Sequence, residues 1–434
     1  MTRPQFLGIA SILISGLLFG CATDPVTGKQ QFMLVSEEEE IQIDKKYSPF
    51  QFSADYGPTQ DQKLNAYIDQ IGKKIADITH RPHMPYSFRV VNASYVNAYA
   101  FPGGSIAVTR GILLKIENEA ELAGLLGLML GHVNLRHSAK QMSQGMLTQA
   151  AVGGMSILAE SQGTVYGYSA VQPESTGTGV RRKPDSWKSL READALGMEY
   201  MVKAGYGPEG YVGLMDMLNN ISINRPAADA VPFPTQPLSD ERYQTAVQAS
   251  QTKYKSAKNR PLYGERYMDH TANLRSKKEA IEEMQKGEDK MVLKKYSDAE
   301  NHFRKALEKA PNDYAALVMM SKCQLAQKKW AVGRQYAEIA QQVYPQEAQA
   351  YHLSGFAKIQ LKDYEEALEE FNRYDQVLAG NPNSFFFKGY CYEGMQQYPQ
   401  AGREYQHYLQ VVNQGDYANH AYRRVREWQA KGYL

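Results

Sequence analysis

The sequence predicts an α+β chain that is mainly α, with a helical first half built around a small β-hairpin and a second half that is an α-solenoid. Three observations carry this. Large aromatic residues recur every 34 positions in the second half, at Tyr296, Trp330, Tyr364 and Tyr398. The stretch from Glu117 to about His137 is a continuous apolar run, punctuated by Gly124, Gly127 and Gly131. Between residues 86 and 109 the pattern changes to alternation, interrupted by the turn signal Pro102-Gly103-Gly104.

At 434 residues the chain has room for two or three domains, and its 43% hydrophobic and 22% charged content is that of an ordinary globular protein. A formal charge of +2 argues against nucleic acid as a partner. Tyr outnumbers Trp by 30 to 3, which reads as half-buried core aromatics in helices.

Arg3 followed by the apolar run Phe6 to Phe19 reads as a secretory signal too short to span a membrane. It ends in Leu18-Phe19-Gly20-Cys21, which resembles the bacterial lipobox. Residues 1–21 are therefore expected to be a lipoprotein signal peptide, with Cys21 lipidated. Ala22 after it favours the outer membrane under the enterobacterial sorting rule. The expected location is the periplasmic side of that membrane, with membrane contact through the lipid anchor only. Cys323 and Cys391 lie 68 residues apart at equivalent repeat positions and are expected to be buried and unbridged.

Ser36 with Glu39 three residues on is a capping-box signal, and Glu37 to Glu40 form the solvated first turn of a helix. Leu64, Ile68, Ile71 and Ile75 recur at helical spacing within Gln60 to Ile78. Strands are expected at Tyr86 to Val91, Tyr95 to Phe101 and Ser105 to Thr109. In the helix from Glu117, each interior glycine costs roughly 1 kcal/mol relative to Ala, so another backbone is expected close by. His137, five residues past His132, is expected to point elsewhere. Helix continues from Ser138 to Glu160 with a Met-rich face, and residues 163 to 186 read as a mobile loop of lid-like composition.

In the second half, small residues follow each 34-spaced aromatic after three positions, at Ala299, Gly333, Ala367 and Ala401. Seven positions after it come Phe303, Ala337, Phe371 and Tyr405, and the period is that of the tetratricopeptide repeat. Gly287, Gly355 and Gly389 mark a tight helix–helix approach, and Tyr417 to Lys431 caps the stack. The expected domains are 22–260, a linker helix at 261–279 and the repeats at 280–434. A stacked array has a concave face suited to a peptide or protein partner; the competing reading is a structural solenoid packed onto the first domain.

The run Asn97-Ala98-Tyr99-Ala100-Phe101-Pro102-Gly103-Gly104, then Val108-Thr109-Arg110-Gly111, then Asn118-Glu119-Ala120-Glu121-Leu122-Ala123-Gly124, resembles the zinc-metallopeptidase family that holds the CAAX prenyl protease, HtpX and BepA. In that family an H-E-x-x-H helix puts two His ligands one turn apart, with Glu as general base for a zinc-bound water. The ungapped resemblance puts Leu128, Met129 and His132 on the first His, the Glu and the second His. Leu190-Arg191-Glu192-Ala193-Asp194 matches the third-ligand helix, with Leu190 at the ligand Glu and Asp194 at the carboxylate that orients a ligand His. Glu192 is expected to be turned away from the site. Gln236, in Pro234-Thr235-Gln236-Pro237, stands where family members commonly carry a His.

The resemblance therefore implies a metallopeptidase-like domain whose metal ligands are lost except for the relic His132. The expectation is a pseudoenzyme with no catalytic residues, no cofactor and the family's zinc absent. It would work as a peptide-binding chaperone or scaffold in outer-membrane protein assembly and quality control. Its partners would be unfolded or assembling outer-membrane proteins, or the assembly machinery, met through the repeats. In the family the hairpin edge receives substrate backbone by strand addition, so Asn97, Ala98, Phe101, Gly103 and Gly104 are the candidate peptide-binding residues. Two alternatives stand beside this: an active zinc endopeptidase with a rearranged ligand set such as His132, Glu192 and a third group, and a purely structural envelope scaffold.

Overall fold

A computed structural model describes residues 21–143, 168–169, 184–223 and 238–434. The signal segment up to residue 20, Gln236 and most of the two segments expected as Met-rich helix and loop lie outside the described residues.

The chain enters as a short antiparallel ribbon of β1 (Cys21–Thr23) and β2 (Gln30–Phe32). Helix α1 (Glu37–Ala54) opens with the expected capping box, Glu39 N–H donating to Ser36 Oγ and Ser36 N–H to the Glu39 carboxylate. The four-Glu run is not uniformly solvated, however. Glu40 is fully buried, held by Arg81 at 2.7 Å and Arg136 at 3.1 Å, because a carboxylate can be buried where two guanidiniums replace its water. Helix α2 (Gln62–Ala76) buries its predicted stripe of Leu64, Ile68, Ile71 and Ile75, and its cap Asp61 accepts from Leu64 N–H.

Next come β3 (Ser87–Val91), β4 (Ala98–Ala100) and β5 (Ser105–Thr109), which with β6 (Tyr168–Ser169) form one sheet in the order β3-β5-β4-β6. β3 runs parallel to β5, whereas β4 pairs antiparallel with β5 on one side and β6 on the other. The expected strand at 95–101 is shortened, because the Thr109 hydroxyl donates to the carbonyls of Tyr95 and Asn97 and side chains from the repeats claim residue 94. After the short α3 (Arg110–Leu113), the helix α4 (Glu119–Asn134) is capped by Asn118 and buried along its whole length. It packs against α5 (Pro184–Lys203) and α6 (Glu209–Ile223), with α7 (Leu238–Gln251) beyond.

Helix α8 (Gly264–Ser276) docks on the first half through Tyr267, whose hydroxyl donates to Leu113 O at 2.7 Å. The repeats follow as the pairs α9 (Lys278–Val292) with α10 (Tyr296–Lys309), α11 (Tyr314–Ala326) with α12 (Trp330–Val343), α13 (Gln349–Leu361) with α14 (Tyr364–Val377), and α15 (Pro382–Gly394) with α16 (Tyr398–Val411), closed by α17 (Asp416–Ala430). The 34-spaced aromatics are each the first residue of a second helix, and the small residues three later are buried or nearly so. Gly287, Gly355 and Gly389 lie against the rings of Phe303, Phe371 and Tyr405, the tight approach that their spacing predicts. Cys323 and Cys391 are buried and free.

The two halves interlock. Arg110 forms a buried two-pronged pair with Asp313 at 2.5 and 3.2 Å. Tyr56 and Ser94 hydroxyls donate to Glu288, Gln60 Nε2 to Val343 O at 3.0 Å, and Gln349 Nε2 to Ser53 O. Part of the array surface is thus packed onto residues 53–60 and 92–110.

Candidate functional site

The site begins with two glycines. A side chain at Gly127 would stand 2.6 Å from Gly197 O, and one at Gly131 would stand 2.8 Å from Ala193 O. Only bare backbone lets α4 and α5 approach this closely, which sets positions 128–132 against 190–197. Gly124 instead meets the side chains of Tyr211, Leu214 and Met201, so the expected backbone contact holds at two of the three glycines.

At the positions the resemblance puts on the first His, the general-base Glu and the ligand Glu, the side chains are hydrocarbon or thioether and are out of solvent: Leu128 is 1% exposed, Met129 0% and Leu190 6%. His132 is 2% exposed, and its Nδ1 lies 2.9 Å from Nδ1 of His137. His137 does not point elsewhere. The α4 helix ends at Asn134, and Arg136 takes a left-handed φ of 54°, so the count of five residues does not follow helical geometry. Glu192 is not turned away either, since its Oε2 sits 3.5 Å from His137 Nε2. The result is a cluster of His132, His137 and Glu192 that the sequence did not reveal, because nothing in it marks Arg136 as left-handed.

Burial, reinforced by the neighbouring His137 and Arg242, holds the His132 imidazole well below its ordinary pKa. Burial also lowers His137, against the opposing pull of Glu192. The neighbouring His137 is the main reason the Glu192 carboxyl is held below its usual range. With both rings neutral, one Nδ1 carries the shared proton and the other accepts it.

Asp194 does not orient a histidine. Its carboxylate takes a two-pronged pair from Arg242, both contacts at 2.7 Å, and the Tyr211 hydroxyl at 2.9 Å. Beside this pair lies a cavity of about 130 Å³ walled by Ala195, Met198, Tyr211, Ala246, Ala249 and Tyr254, room for one apolar side chain. On the other side of His132, a crevice bounded by Glu40, Ala100, Phe101, Pro102 and Arg136 has no space for a water molecule.

Of the candidate peptide-binding residues, Asn97, Ala98, Phe101, Gly103 and Gly104 are all buried. Asn97 N–H donates to the Thr109 hydroxyl, and Gly103 backs onto Asp44 of α1. The β4 edge is not open, since Tyr99 pairs with Ser169 and Ala100 with Tyr168. Gln236 lies outside the described residues.

A zinc ion of the resembled family needs three protein ligands and an open position. Here His132 is the one described family position with ligand chemistry, and it faces another imidazole. No group of three His, Cys, Asp or Glu among the described residues is placed to hold a metal. The described residues do not fit that ion, and no chemical step is derived through it.

Residues 62–250 match Peptidase family M48. Within that stretch, under half of the chain, it is similar to the M48 metallopeptidases, and tetratricopeptide-like helical repeats lie behind it. It is 26% identical over 351 residues to the β-barrel assembly-enhancing protease of Yersinia pestis, covering 75% of this chain and 71% of that protein. The protein of that name from Escherichia coli K12 is 26% identical over 161 residues, 36% of this chain and 33% of its own length. A Vibrio cholerae relative is likewise matched over only 39% of its length. Among solved structures, MamA from Desulfovibrio magneticus RS-1 aligns at 18% identity with a TM-score of 0.30, covering 39% of this chain and 89% of that one.

These comparisons correct one expectation. The sequence reading placed the chain outside enzymes, whereas the matching family is a peptidase family and the relatives are named as proteases. The error was to widen a narrow physical point. Leu128, Met129 and Leu190 argue against one ligand set, and absence of that set is not absence of catalysis.

Proposed function

We propose that this protein acts in the assembly of outer-membrane β-barrel proteins by holding an unfolded client on the M48-like domain, with the repeats as a second contact. The carrying observation is the match along three quarters of the chain to a β-barrel assembly-enhancing protease. The described structure supports it with a four-stranded sheet, a side-chain-sized apolar cavity beside Asp194 and Arg242, and a repeat array joined to the same body. In this reading residues 22–260 form the platform and 280–434 the array. The chain is held at the periplasmic face of the outer membrane through lipid on Cys21, and no zinc sits at His132. To receive client backbone at β4, the pairing with Tyr168–Ser169 must open.

A second reading, hydrolysis of the bound client, is favoured by the names of the relatives. Incubating the purified chain with an unfolded β-barrel polypeptide separates the two. Saturable binding without new fragments supports holding, fragments that track the protein's concentration support cleavage, and the absence of both binding and fragments would overturn the proposal.

A further inference from the structure

The edge of the repeat array made by the turns within its helix pairs carries a combination of side chains that folding does not use. The residue entering each turn is in the left-handed region: Lys294 at φ 56°, Lys328 at 60°, Lys362 at 69° and Gln396 at 61°. A side chain there costs roughly 1 kcal/mol that glycine would avoid, yet three of the four positions hold lysine. Because the turns recur every 34 residues in a stacked array, their side chains line one edge. Lys294, Lys295, Lys328, Lys329 and Lys362 are all exposed there. Lys329 is paired with Glu300 at 2.9 Å, but Lys294, Lys295, Lys328 and Lys362 have no carboxylate within ion-pair distance among the described residues.

At the first of these turns stand Val292 and Leu293, 69% and 61% exposed, the two most exposed large apolar residues described. Isolated exposed apolar residues are ordinary. Two in sequence at a protruding turn, with unpaired cations beside them and along the same edge, form an apolar tip with a basic border. That is the chemistry of an interfacial contact with acidic lipid, in which side chains enter the acyl boundary and ammonium groups meet phosphates. No helix among the described residues is long and apolar enough to span a bilayer, so the contact would be peripheral.

We propose that this edge docks on an anionic phospholipid surface, with Val292 and Leu293 in the interfacial layer and Lys294, Lys295, Lys328 and Lys362 on the phosphates. It is a contact additional to any lipid on Cys21, and it would fix the orientation of the array against the membrane.

The test uses the chain from Ala22 onward, which keeps every described element but the first ribbon residue and removes both leader and Cys21. Co-sedimentation is measured with vesicles of phosphatidylcholine alone and with a third phosphatidylglycerol. Binding to the acidic vesicles should be at least tenfold tighter and should weaken with salt. Val292→Asp with Leu293→Asp, and separately Lys294→Glu with Lys328→Glu and Lys362→Glu, should each lower it about tenfold or more. All these positions are on the surface, so unchanged circular dichroism melting verifies the fold. Equal binding of the parent and both variants, or no binding to acidic vesicles, would overturn the proposal. So would a photo-crosslinker at position 293 that captures protein and no lipid in cells.

Discussion

Gly127 and His132 show how differently single residues can be read. The glycine is legible because its cost inside a helix demands a compensating close approach, and Gly197 O at 2.6 Å supplies it. Gly127→Ala is expected to destabilise the fold by about 2–4 kcal/mol in urea unfolding, and Gly124→Ala by less, since only side chains meet it. The contacts of His132 were not legible, because they depend on the backbone sign at Arg136 and on the reach of Glu192 from another helix. The mapping of 128 and 190 onto ligand positions and of 129 onto the general base has its own check. The triple substitution Leu128→His, Met129→Glu, Leu190→Glu should bring stoichiometric zinc by elemental analysis, whereas the parent should carry none. Zinc in the parent that His132→Ala removes would contradict the fit described here.

At the scale of elements, periodic features were readable and unique ones were not. The repeat helices repeat one solution, so their aromatics and small residues confirm each other across four units and their glycines across three. Gly355→Leu should cost about 2–4 kcal/mol, because its missing side chain makes room for the Phe371 ring, and the loss should appear as earlier melting of the array. The pairing of β4 with Tyr168–Ser169 joins segments about 70 residues apart through two residues only, a contact too short to leave a pattern. The acidic start of α1 was half readable: its capping box is local, while the burial of Glu40 requires Arg81 and Arg136 from distant segments.

Across the whole molecule, the junction between the halves was invisible in the sequence, since its pairs, such as Ser94 with Glu288 and Ser53 with Gln349, are 194 and 296 residues apart. Asp313→Ala leaves Arg110 buried without its carboxylate and should cost about 3 kcal/mol in chemical unfolding. Glu288, at the same junction, has its carboxyl pushed up to about 7 by burial from an ordinary 4.5. The folded state therefore holds that proton more tightly, and this group's contribution is full below pH 4.5 and declines as pH rises to about 7. His352 acts in the opposite sense, since burial pushes it down to about 4 and stability declines as pH falls below 6.5. Glu288→Gln should remove the first dependence and leave the second, read as melting temperature across pH 4 to 8. In the proposed function the repeats and the M48-like domain form one platform for a client. The most direct measurement is fluorescence anisotropy of a labelled, unfolded β-barrel polypeptide titrated with the purified chain, alongside an unfolded water-soluble protein of similar length. Saturable binding at about micromolar concentration or tighter, with at least tenfold preference for the β-barrel polypeptide, is expected; no saturation, or equal affinity for both, would contradict it.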